Sequence, residues 1–205
     1  MLRDADIREP LFYFLEETYG KIRILEEKTI GRSRADVVMI TETSICGLEI
    51  KSDADSYTRL SRQIKDYDKY YDYNYVVVGT THAAHIEEHV PNYWGIITVE
   101  EVDGEIDFYI LRKPDSNPKV NLKRQMRILW RPELAVIQLQ NKMPKYKEKS
   151  KDFVIDKIIE RSKLSDGHKN KIELSELKVQ ISNVLFERDY ANISAVLIEY
   201  QNGEL

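Results

Sequence analysis

The stretch from Asp36 to Gly79, "DVVMITETSICGLEIKSDADSYTRLSRQIKDYDKYYDYNYVVVG", decides the fold. Its first half holds two strand-like runs, "RADVVMI" and "SICGLEIKS", joined by "TETS", which reads as a hairpin turn. With Glu42 and Thr43 at the tip of a tight turn, Thr41 pairs with Ser44 and Asp36 falls directly across from Glu49. Opposed residues share a face, and strand alternation adds Lys51 to it while Leu48 and Ile50 turn toward a core. The Glu-x-Lys triplet alone decides nothing, since it recurs at Glu26 to Lys28 and at Glu176 to Lys178. Register is what singles out Glu49.

The second half of the stretch is helical. Tyr57, Leu60, Ile64, Tyr67 and Tyr71 recur at intervals of three and four behind a Ser- and Asp-rich start suited to capping. The helix runs into "YVVVG", an unbroken β-branched run of the kind found in a strand buried on both faces, which predicts a crossover onto a parallel neighbour. Upstream, Ile7, Leu11, Phe14 and Leu15 predict a first helix ending near Gly20, and "KIRILEEKTI" a first strand. Downstream, "WGIITVE" and "IDFYILRK" flank Asp103-Gly104 as a closing hairpin. The expected order is α-β-β-β-α-β plus that hairpin, an α/β fold with a mixed sheet.

After Pro114 the pattern changes to helices. They are expected near Asn121 to Trp130, from Pro132, near Asp152 to Leu164 and near Leu174 to Tyr190, with "NKMPKYKEKSKD" as a solvated basic linker. Charge is polarised: residues 112–151 hold 12 Lys and Arg against 3 acids, although the whole chain carries a net charge of -4. Such a surplus suits contact with phosphates as well as it suits a solvated helix face. Within it, Lys123, Arg124 and Arg127 are candidate phosphate contacts, as are Arg34, Arg59 and Arg62 nearer the hairpin. The single cysteine, Cys46, excludes an internal disulfide and a thiolate metal cluster. No apolar run approaches the roughly 20 residues of a membrane span, and the acidic N-terminus is unlike a signal peptide, so a cytoplasmic protein is expected. His82, His85 and His89 would share one face if "THAAHIEEHV" were helical, but a one-helix site lacks the second element that zinc normally needs. Tyr67 and Tyr71, in a tract that resembles a base-stacking surface, fall on the core face of their helix.

Two opposed carboxylates repel unless a cation lies between them. Magnesium, or manganese in its place, suits one or two carboxylates completed by water and phosphate oxygens, and a nearby lysine can stabilise charge growing on phosphorus. The corresponding reaction class is phosphodiester hydrolysis. Ala35-Asp36, then Glu49-Ile50-Lys51 on the next strand, then a helix bearing Gln63, in α-β-β-β-α-β order, resemble the PD-(D/E)XK nuclease superfamily, the restriction-endonuclease-like fold. Within it, "GRSRADVVMI", "GLEIKSDADSYTRLSRQIKDYDKYYD" and "VPNYWGI" are similar to a family of bacterial and phage proteins, and more distantly to MmcB-like repair proteins. The resemblance covers about Ile7 to Ile97. It implies that Asp36 and Glu49 ligate a metal, that Lys51 is the catalytic lysine, and that Gln63 leans over the site from the helix. Glu27 matches an acidic position of the narrower family and is a third candidate ligand.

The resemblance implies a nuclease domain, expected over residues 1–113, and the helical pattern after Pro114 makes 114–205 an extension expected to bind substrate or a partner. The expected partner is nucleic acid, DNA before RNA, with a homodimer or a protein partner at the C-terminal helices as further options. The alternative is a catalytically inactive nucleic-acid-binding or protein-interaction module of the same fold, in a phage or defence setting.

Overall fold

A computed structural model of the chain describes residues 2–188 and the isolated positions 199 and 202. The described chain divides into two compact units, residues 1–121 and 122–205.

The first unit opens with α1 (Asp4–Tyr19), whose Ile7, Leu11 and Leu15 are fully buried one turn apart. It ends at Gly20, which takes the positive φ of 73° that favours glycine past a helix. Three strands follow, β1 (Arg23–Ile30), β2 (Ser33–Ile40) and β3 (Ile45–Lys51). A 3-10 turn at Tyr57–Arg59 leads into α2 (Leu60–Tyr70), then β4 (Tyr73–Gly79) and a short α3 (Thr80–Ala83). The hairpin β5 (Gly95–Val102) and β6 (Glu105–Arg112) completes the sheet. Its turn residues Asp103 and Gly104 both have positive φ, as a twisted two-residue hairpin requires.

The six strands lie in sequence order. Neighbours β1, β2 and β3 are antiparallel, β3, β4 and β5 are parallel, and β6 returns antiparallel. The α/β class with a mixed sheet followed by helices is therefore what the chain adopts. Thr41 N donates to Ser44 O at 3.0 Å, and β2 meets β3 as Val37 with Leu48 through Ile40 with Ile45, the register expected from the "TETS" turn. One sheet face, with Val37, Met39, Leu48, Ile50, Tyr75 and Val77, packs on α1. The opposite face receives α2, and here Gly47 matters: a Cβ at this position would overlap the rings of Tyr71 and Tyr67. Both tyrosines are fully buried, as the helical spacing predicts.

The unit does not stop at Lys113. Asn117 donates its side-chain amide to Asp68 O (2.9 Å) and Tyr71 O (2.7 Å), and Asn117 N donates to Asp72 O. These bonds fasten the segment after β6 to the end of α2.

The second unit contains α4 (Leu122–Met126), α5 (Arg131–Gln140), α6 (Lys151–Ser162) and α7 (Leu174–Phe186). Helix α4 is shorter than its sequence pattern suggests. Residues 127–129 turn with i to i−3 bonds, and Trp130 becomes extended to cap α5, whose first turn holds Pro132. The expected linker is a tethered loop instead: Met143 is buried, Met143 N donates to Gln138 O, and Arg131 donates to Tyr146 O at 2.9 Å. The end expected for the last helix, Tyr190, lies outside the described residues. Among the described residues no helix is long and apolar enough to cross a membrane.

Candidate active site

The acids of the first three strands fall in one row. In β1 and β2 the pairs Glu26 with Val37 and Lys28 with Ala35 bracket the position where Glu27 faces Asp36. In β2 and β3 the ladder ends at Val37 with Leu48, one step before Asp36 would face Glu49. Glu27, Asp36 and Glu49 are thus neighbours across three strands. At Glu27 the backbone φ is 52°, a conformation that strains a non-glycine residue and breaks the regular pairing of its strand.

Glu49 is 1 % exposed and Lys51 3 %. Lys51 Nζ donates to Glu49 Oε1 at 2.5 Å, and Gln63 Nε2 donates to the same oxygen. Both donors converge on Oε1, while Glu49 Oε2 and Gln63 Oε1 are buried and accept no hydrogen bond, the Tyr67 hydroxyl lying close enough to Glu49 only to favour its charged form. Such oxygens normally have a partner, so this pair is suited to a cation or an ordered water. Asp36 Oδ2 accepts from Ile50 N at 2.8 Å, and burial, reinforced by the charge of Glu49, pushes its carboxyl up to about 7. The Glu49 carboxyl is likewise raised by burial, against the opposing pull of Lys51.

These groups line a cleft of about 540 Å3. Its wall includes Arg32 from the turn between β1 and β2, Arg34 from the start of β2, Arg59 from the 3-10 turn before α2 and Arg62 from the first turn of α2. The turn is pinned to α2 by Asp66, whose Oδ2 accepts from Ser33 Oγ at 2.8 Å and from Arg32 N at 3.3 Å. Arg34 is paired with Glu27, and Arg8 of α1 also reaches Glu27 at 2.5 Å. Glu27 is therefore already engaged by two guanidinium groups. The oxygen chemistry of Asp36, Glu49 and Gln63 fits a hard divalent cation, although no group of three acidic, histidine or cysteine side chains converges among the described residues.

The remaining sequence candidates lie elsewhere. Lys123 meets Asp156 at 2.5 Å, Arg127 meets Asp152 at 2.6 Å, and Arg124 is exposed on α4. The histidines do not share a continuous helix, because α3 ends at Ala83 and a separate 3-10 turn spans Ile86–Glu88. His82 and His89 instead pack on the ring of Tyr57, at 4.8 and 4.2 Å between centroids. Sequence reasoning missed Arg8 and Arg32. Arg8 had no visible signal, since its place beside Asp36 depends on how α1 crosses the sheet, whereas Arg32 lies in the "GRSR" turn beside the acid row.

No curated protein matches the chain. Among solved structures, SfsA of Pyrococcus furiosus in complex with Ca2+ is similar, with 17 % identity and a TM-score of 0.34. The match covers 57 % of this chain and 63 % of that one, so the chain spans less than two thirds of it. The family model of bacteriophage P4 protein cII matches residues 3–203, nearly the whole length, and the chain belongs to that family.

Proposed function

We propose that the protein is a divalent-metal-dependent nuclease of the PD-(D/E)XK type, hydrolysing phosphodiester bonds in DNA in preference to RNA. The observation that carries this reading is the pair of buried, donor-free oxygens, Glu49 Oε2 and Gln63 Oε1, beside Asp36 in an arginine-walled cleft. Asp36 and Glu49 would hold the ion, magnesium or manganese, with the Gln63 carbonyl oxygen as a neutral addition; Glu27 is the third candidate ligand. When bound, the ion supplies Lewis-acid charge to the phosphate and acidifies attacking water. Lys51 orients Glu49 through their 2.5 Å contact and places an ammonium where charge grows on phosphorus. Arg32, Arg59 and Arg62 of the cleft wall, with Arg34 paired to Glu27, would supply guanidinium forks for the phosphates on either side. The helical unit contributes a further basic surface through Lys123, Arg124 and Arg127 or engages a protein partner.

A second reading, a nucleic-acid-binding module without turnover, draws on one specific observation. Lys51 and Gln63 are both committed to Glu49, as in a self-satisfied structural pair. The two readings separate on incubation with supercoiled plasmid, single-stranded DNA and structured RNA, in magnesium, manganese or EDTA, alongside Asp36→Ala and Lys51→Ala. Metal-dependent cleavage by wild type, lost in both variants, is the expected result. Equal cleavage by all three proteins on every substrate overturns the nuclease, and retained binding without cleavage supports the module.

A further inference from the structure

Asp36 is a strand residue that takes part in neither ladder beside it. Toward β1 its pairing with Glu27 is skipped between regular pairs, where Glu27 leaves strand geometry, and toward β3 the ladder has already ended at Val37 with Leu48. A buried backbone group left without a partner costs about 1–3 kcal/mol, so the question is where these groups go. Asp36 N donates to the hydroxyl of Tyr67 at 3.1 Å, and that hydroxyl donates in turn to Leu48 O at 3.2 Å. Asp36 O accepts from Arg8 Nη1 at 3.2 Å. Arg8 is itself held by Asp4, at 2.8 Å, and by Glu27.

Two helices on opposite faces of the sheet therefore each contribute one side chain to the same residue. Tyr67 comes from α2 and lies against the sheet only because position 47 has no Cβ. Arg8 comes from α1. An uninterrupted ladder would satisfy the same N–H and C=O without help from any side chain, so stability alone does not call for this arrangement. What it achieves is local: the strands stay parted where the carboxylates of Asp36 and Glu49 enter the cleft.

We propose that Arg8 and Tyr67 are positioning residues that hold Asp36 out of both ladders and thereby set the affinity of the Asp36 and Glu49 pair for a divalent cation. This rests on the metal-dependent reading above. Partners that orient metal ligands typically change metal affinity by about 10–100-fold when removed. Tyr67→Phe keeps the ring and removes only the hydroxyl. Arg8→Lys keeps the charge and removes the fork that spans Asp4, Glu27 and Asp36 O.

The test is titration of the full chain with Mn2+, followed by electron paramagnetic resonance of the free ion, and amide hydrogen exchange of the metal-free protein. Each variant is expected to bind Mn2+ about 10-fold more weakly or worse. Tyr67→Phe should also lose exchange protection at the Asp36 amide while the β3 and β4 amides keep theirs. Should Tyr67→Phe fail to fold, Arg8→Lys carries the test, because a role of charge alone would leave its affinity unchanged. Mn2+ uptake by wild type that both variants retain within about twofold overturns this inference alone. Wild type that takes up no Mn2+ overturns the metal reading itself, and this inference with it.

Discussion

Both units bury a glutamate against a cation, and the two pairs differ in what is left over. In the helical unit Glu133 receives Arg188 through both oxygens, at 2.5 and 2.7 Å, and Trp130 N completes the set at 2.6 Å. The guanidinium also lies 4.1 Å over the Trp130 ring and donates to Ile128 O. Every oxygen is used. In the sheet unit Glu49 spends one oxygen twice, on Lys51 and Gln63, and leaves the other with none, while Asp36 nearby sits at a raised pKa. A closed pair fixes structure, whereas an open one beside a second, half-buried acid stores an unfavourable charge that a ligand can relieve.

The comparison breaks first on stability. Glu133→Ala takes the carboxylate away from the buried guanidinium of Arg188, which should cost about 3–5 kcal/mol in urea denaturation. A loss under about 1 kcal/mol would mean that the pair is open as well.

Asp36→Asn should act in the opposite direction and with pH dependence. The folded carboxyl titrates near 7 and the unfolded one near 3.8, so between these values the folded state binds more protons. Its contribution to stability is therefore present below about pH 4 and lost as pH rises through about 7. Asparagine has no such loss. The variant should gain on wild type by up to about 4 kcal/mol between pH 4 and pH 8, at 1.36 kcal/mol per unit. Magnesium should raise the melting temperature of wild type at pH 8 and leave that of the variant in place. A pH-independent difference between the two proteins would remove the stored charge from the argument.

How much of this was legible follows from which interactions are local. The hairpin register came from a four-residue turn and strand period 2, so Asp36, Glu49 and Lys51 could be placed on one face from sequence. The next strand was harder: Glu27 faces Asp36 through a turn at Gly31 with a φ of 59°, and Glu27 itself leaves regular strand geometry. The parting of the strands was not legible at all, because it depends on Arg8 and Tyr67 arriving from two helices. Tyr67 was readable as a core residue by its spacing, and it is one. Its hydroxyl has a second role that periodicity does not encode.

Gly47→Ala tests that dependence at intermediate size. The added methyl meets aromatic carbons of Tyr71 and Tyr67, the latter at 2.8 Å, and rigid rings between a helix and a sheet have little room to yield. Overpacking of this kind costs about 1–3 kcal/mol. Displacement of Tyr67 should weaken Mn2+ binding at the same time. Lost stability with unchanged Mn2+ affinity would show that the tyrosine matters only as packing.

The smallest expected effect separates the two basic regions. Counting charge along residues 112–151 gives a surplus, but Asp152 and Asp156 lie just past that window and pair with Arg127 and Lys123. The cleft arginines Arg32, Arg59 and Arg62 form no ion pair among the described residues. Each phosphate contact contributes about one unit to the slope of log affinity against log salt. Arg59→Gln with Arg62→Gln should therefore flatten the slope by about two, and Lys123→Gln with Arg127→Gln by less than about one, since paired cations release fewer counterions. Equal flattening by both double variants would mean that the aspartates yield their partners to the phosphates, and that the helical unit shares the substrate with the cleft.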